Sequence, residues 1–141
     1  MKFTVALAAM LASIGVAAQS PAGLWKTVDD ATGKEKSYVR LTEANGVVTG
    51  KIEKLLDPTK QDAKCDECSD ERKGQPVTGM TIIRNVKKDG DVWAGGDILD
   101  PNNGKVYKVR LTLGADNKKL EVRGYIGAPI LGRTQTWQRL E

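Results

Sequence analysis

Gly124-Tyr125-Ile126-Gly127-Ala128-Pro129-Ile130-Leu131-Gly132-Arg133-Thr134-Gln135-Thr136-Trp137 is the stretch on which the fold turns. It ends one strand, passes through a Gly/Pro loop and opens the last strand of the chain. Upstream, Lys119 to Ile126 alternates, with Leu120, Val122, Gly124 and Ile126 expected on one inward face. Downstream, Arg133 to Leu140 reads as the final strand.

The same grammar runs back through the chain. Lys105 to Leu113 has the cleanest alternation, Tyr107, Val109, Leu111 and Leu113 against Val106, Lys108, Arg110 and Thr112. Before it, Asp100-Pro101-Asn102-Asn103-Gly104 is a strong turn. Val92 to Leu99 carries the pair Gly95-Gly96, which allows a sharp bend of the sheet. Met80 to Val86 is strand-like and turns at Lys88-Asp89-Gly90. Asp57 to Gly79 is the longest irregular segment and holds Cys65-Asp66-Glu67-Cys68. Val47 to Leu56 places Val48, Gly50, Ile52 and Leu56 together, with Lys54 marking a bulge or the strand's end. Asn45-Gly46 predicts a tight hairpin back to Ser37–Thr42. Gly23 to Val28 is the first strand, followed by the polar turn Asp29 to Lys34.

Eight consecutive strands and no convincing helix predict an all-β fold, an eight-stranded antiparallel up-and-down barrel in which closure removes both exposed edges. An open sandwich is the alternative. Barrel parity then sorts the loops. The connections after strands two, four and six are short, whereas those after one, three, five and seven are elaborate. All four elaborate loops therefore fall at one rim, where binding on a rigid scaffold usually resides.

Composition bounds what such a barrel can do. Met1-Lys2 followed by an apolar run from Phe3 to Val16 and by Ala17-Ala18 reads as a Sec-type signal peptide cut after Ala18. The run is too short for a membrane span. Residues 19–141 then form one domain, outside the cytoplasm. The formal net charge of +4 comes from scattered residues of both signs, which lacks the footprint of a nucleic-acid binder. Histidine is absent, removing the commonest general base and metal ligand. No catalytic constellation, cofactor site or metal site is evident.

If strand eight pairs with strand one, Trp25 meets the Trp137–Arg139 region. A guanidinium over an indole face contributes about 0.5–2 kcal/mol. Gly23-Leu24-Trp25 and Arg139 resemble the Gly-x-Trp and C-terminal Arg closure of lipocalins. A fuller set of motifs follows in order: Gly50-Lys51-Ile52, Cys65-x-x-Cys68, Trp93-x-Gly95-Gly96-x-Ile98-Leu99-Asp100-Pro101, Gly104-Lys105-x-Tyr107, Gly124-Tyr125-Ile126-Gly127 and Gly132 to Trp137. Across essentially the whole mature chain this resembles the bacterial exported family called domain of unknown function 2147. The resemblance implies a lipocalin-like barrel outside the cytoplasm and transfers no catalytic or ligand residues.

Three constellations remain. Asp97, Asp100, Tyr107, Tyr125, Arg133 and Trp137 are expected near the elaborate rim, where a cationic fork, phenols and carboxylates would fix the polar end of a small, partly apolar ligand. The bland counterpart is an Arg–Asp pair and tyrosine hydroxyls that merely satisfy loop backbone. A hydrolase using Asp97 and Asp100 is disfavoured, because residues three apart in an extended chain face opposite sides. Cys65 and Cys68 read as a local disulfide. A redox pair or a zinc site is the minority reading, since Asp62, Asp66, Glu67, Asp70 and Glu71 disfavour thiolate and no second ligand pair exists. The rival to ligand binding is an envelope protein–protein module whose lumen is plugged by Trp93, Tyr107, Leu111 and Trp137. A thiol oxidoreductase is the third reading.

Overall fold

The computed structural model describes residues 19–128, 130 and 132–141. The expected leader, residues 1–18, lies outside the described residues. Eight strands occur in chain order: β1 Gly23–Val28, β2 Glu35–Ala44, β3 Val47–Leu55, β4 Thr81–Asp89, β5 Val92–Leu99, β6 Val106–Leu113, β7 Lys119–Tyr125 and β8 Arg133–Arg139. Each pairs antiparallel with its neighbours and β8 returns to β1, so the sheet is a closed barrel. The sandwich alternative is thereby excluded. A 3-10 turn, Pro58–Lys60, is capped by Asp57 and interrupts the long β3–β4 connection.

The core follows from alternation. Trp25, Val39, Leu41, Val48, Val86, Val109, Leu111 and Leu120 are essentially inaccessible, and each comes from the inward face of its strand. Register shifts supply the curvature. Tyr38 pairs with Lys54 but Val39 pairs with Ile52, leaving Glu53 as the extra residue of a bulge. In β5 the pairing shifts between Trp93 and Gly96, with Gly95 at φ +84°. A Cβ on Gly96 would lie 2.0 Å from the Arg84 carbonyl oxygen, so the sheet bends there because that position has no side chain.

Some strand ends differ from expectation. β4 runs on to Asp89 rather than turning at Lys88, because Lys87, Lys88 and Asp89 pair with Ala94, Trp93 and Val92. β7 stops at Tyr125, and Ile126, expected inward, is 64% exposed. The glycine-rich turn takes over before the alternation can seat it.

The short-loop end is sealed. Trp25 donates its indole N–H to the Pro21 carbonyl at 2.8 Å, and the Arg139 guanidinium lies 4.3 Å from the Trp25 ring centroid. The same guanidinium donates to the backbone oxygens of Ser20, Ala22 and Asn117. The N-terminal approach to β1 is thus pinned across the barrel floor.

Candidate functional site

The opposite end is open. Its cavity measures about 1290 Å³ and is bounded by three of the elaborate connections, represented by Asp29, Ala63 and Pro101, and by Arg133 at the start of β8. Inside, Val39, Ile52, Ile98, Val122 and Trp137 form an apolar wall. Below them Trp25, Leu41, Val48, Trp93, Leu111 and Leu120 pack the lower lumen. The barrel is therefore half filled: solid towards the floor, hollow towards the rim.

Charged residues crowd the mouth, Asp29, Lys36, Asp57, Asp62, Glu67 and Asp100 among them, whereas deeper polar groups are held in fixed hydrogen bonds. Thr27 and Ser37 share a buried hydroxyl–hydroxyl hydrogen bond of 2.7 Å. Trp137 donates its indole N–H to Gln135 Oε1 at 3.2 Å. Tyr107 accepts from Asn103 Nδ2 at 3.1 Å. An apolar inner wall with oriented polar atoms beneath a polar mouth is a form that a small-molecule site can take.

At the mouth, Arg133 grips Asp30 with both arms of its fork, Nε to Oδ2 at 2.5 Å and Nη2 to Oδ1 at 2.8 Å. That contact raises the Arg133 pKa further above its ordinary value. It also bridges β8 to the β1–β2 turn, adding a rim-side tie to the seam that Trp25–Arg139 and Lys26–Gln138 close towards the floor. The turn is itself ordered by Asp29, whose carboxylate accepts from the amides of Ala31 and Thr32. Those bonds hold its pKa below the usual carboxylate value.

Of the six residues expected at the mouth, Asp100, Tyr107, Arg133 and Trp137 line the cavity, whereas Asp97 and Tyr125 do not. Both of the latter sit at rim level on the outer face. The bulge at Gly95–Gly96 leaves Gly96 and Ile98 opposite the inward Val109 and Tyr107, so Asp97 between them points out, in register with Arg84 and Lys108. Tyr125 follows the inward Gly124 and pairs with Lys108. In the β3–β4 connection, Arg72 is 6% exposed, grips Asp70 through Nε and Nη2 and donates to the Thr81 carbonyl. Sequence reasoning missed this Arg72–Asp70 pair and Asp30, because all lie in loops whose partners are set by closure.

Cys65 and Cys68 are joined with a Cα–Cα distance of 5.4 Å, and both are buried. Their loop packs against the β5–β6 turn. A Cβ on Gly104 would lie 1.9 Å from the Glu67 carbonyl oxygen. The disulfide thus stiffens one wall of the mouth rather than facing the lumen.

Comparison with curated proteins finds no match. Among solved structures, the chain is similar to one described as "Protein HP1028 from the human pathogen Helicobacter pylori belongs to the lipocalin family", with a TM-score of 0.74 and 24% identity over 86% of this chain and 84% of that one. This likeness shows the fold. The family described as "Uncharacterized protein conserved in bacteria (DUF2147)" matches residues 23–139. Since that match runs from the first residue of β1 to the last of β8, the chain belongs to the DUF2147 family and folds as a closed, lipocalin-like barrel.

Proposed function

We propose that the protein is an exported, non-catalytic barrel that holds a small, partly apolar ligand in its rim-side cavity. The observation that carries this reading is the half-filled lumen: a cavity of about 1290 Å³ with an apolar inner wall and a polar mouth, above a packed floor. A plugged interaction module would fill the upper half as well, and here only the lower half is filled. Burial of both cysteines supports the non-catalytic part, because an attacking thiolate needs access to a sulfur. A Cys65–Cys68 bridge is also the form expected outside the cytoplasm, in keeping with removal of residues 1–18 and a single domain over 19–141.

Arg133 is the candidate for the ligand's polar end. Its side chain remains 69% exposed beside Asp30, and an exposed pair of this kind contributes little to stability. The test is organic extraction of purified protein followed by mass spectrometry, together with displacement of a fluorescent fatty acid. Arg133→Ala should weaken uptake of the carboxylate-headed probe about tenfold, the loss of one charge-assisted contact, while the unfolding midpoint stays put. Recovery of nothing by extraction, combined with no uptake of any apolar probe, refutes the reading.

A further inference from the structure

Beyond ligand binding, the outer rim carries a surface that the cavity does not use. The β7–β8 loop exposes Ile126 at 64% and Ile130 at 83%. Val106, at the rim end of the neighbouring strand, is 43% exposed. Large apolar side chains grouped on a loop tip mark an interaction site rather than ordinary surface scatter.

Basic residues predominate on the outer face of β6 and β7 beside this tip. Lys105 precedes Val106, Lys108 pairs in register with Tyr125, and Arg110 stands opposite Arg123 across the β6–β7 ladder. Like charges placed directly opposite are unfavourable in a sheet. Arg123 is held by Thr134 Oγ1 and the Ile130 carbonyl. Among the described residues no ion pair joins Lys105, Lys108 or Arg110 to a carboxylate. The nearest acids in register are Asp97 beside Lys108 and Glu121, two pairs below Arg123.

We propose that the β7–β8 loop docks the barrel on an anionic phospholipid bilayer, with Ile126 and Ile130 entering the interface and the exposed Lys105 and Lys108 facing the headgroups. Apolar insertion and basic attraction are the two signals that together give stable peripheral binding. A soluble acidic partner would satisfy the cations but leave two isoleucines in water. Because Gly124, Arg133 and Gln135 on the flanking strands line the cavity, docking would bring the mouth to the membrane surface, where an apolar ligand could pass without crossing water.

Co-sedimentation of the purified protein with vesicles tests this without reference to any ligand. It should bind vesicles of phosphatidylglycerol mixed with phosphatidylcholine, bind phosphatidylcholine alone far less, and be released as salt rises. Ile126→Asp with Ile130→Asp should lower binding about tenfold or more, and Lys105→Glu with Lys108→Glu by a similar factor. All four side chains are exposed, so circular dichroism and unfolding midpoint should match those of the unaltered protein. Absence of binding to the anionic vesicles, equal binding to both vesicle types, or full binding by the isoleucine double variant overturns the proposal. Probe uptake in vesicle-free solution reports separately on the cavity.

Discussion

Arg139 shows how much one side chain can hold at a closure point. Its guanidinium stacks on Trp25 and donates to Ser20, Ala22 and Asn117, joining the N-terminal approach, the β6–β7 turn and β8. Burial lowers its pKa without bringing it near neutrality. Arg139→Ala should cost about 2–4 kcal/mol in urea unfolding, through lost stacking and stranded carbonyl oxygens. A loss below about 0.5 kcal/mol would place the seal elsewhere. Asp70 makes a pH-dependent contribution. Its contact with Arg72 lowers its pKa from 3.8 to about 2, so the stabilisation is present above the unfolded value and is lost as pH falls through the folded one. With 30% of the Asp70 side chain exposed, solvent screening reduces the effect to about 1 kcal/mol. Unfolding of Asp70→Asn should therefore show a smaller drop in stability between about pH 5 and pH 2 than the unaltered protein. Identical slopes would show that the pair contributes nothing.

At the scale of elements, bulges and loops place the site. The Glu53 bulge and the Gly95–Gly96 kink let the sheet close, and the second decides which of Asp97 and Ile98 faces the cavity. The cysteine loop is stapled locally and leans on Gly104 of the β5–β6 turn. Replacing both Cys65 and Cys68 with alanine should destabilise by about 2 kcal/mol on the chain-entropy account, since the closed loop is so short. The far-ultraviolet circular dichroism of the barrel should survive, because the β-ladders run elsewhere. Complete unfolding would mean that the loop organises the barrel rather than resting on it.

For the molecule as a whole, the uneven filling of the lumen is the property on which the proposed ligand binding rests. Aromatic and branched side chains converge towards the floor, whereas at the rim end Gly124 faces inward beside Tyr107 and Ile98. A Cβ there would meet Tyr107 Cβ at 3.5 Å and Ile98 Cγ2 at 3.8 Å, ordinary contacts. A larger side chain can therefore grow into the cavity without disturbing the wall. Gly124→Leu should cut probe uptake about tenfold or more by occupying that volume, with unfolding stability changed by less than about 1 kcal/mol. Unchanged uptake by this variant would place the ligand outside the lumen.

Strand number, antiparallel order and the gathering of four long loops at one rim were legible in the sequence, because alternation and turn chemistry are local and parity follows from them. The Trp25–Arg139 closure was legible in two steps: antiparallel pairing of first and last strands brings Trp25 to the Trp137–Arg139 region, and the resemblance to the lipocalin closure points to Arg139. Tertiary structure alone decided that Asp97 and Tyr125 face outward, that Arg133 meets Asp30, and that the lumen is hollow only in its upper half. Each depends on where a bulge shifts the pleat by one residue or on which distant loops close on one another. Local periodicity carries neither, since a one-residue shift reverses every following side chain while leaving the alternation intact.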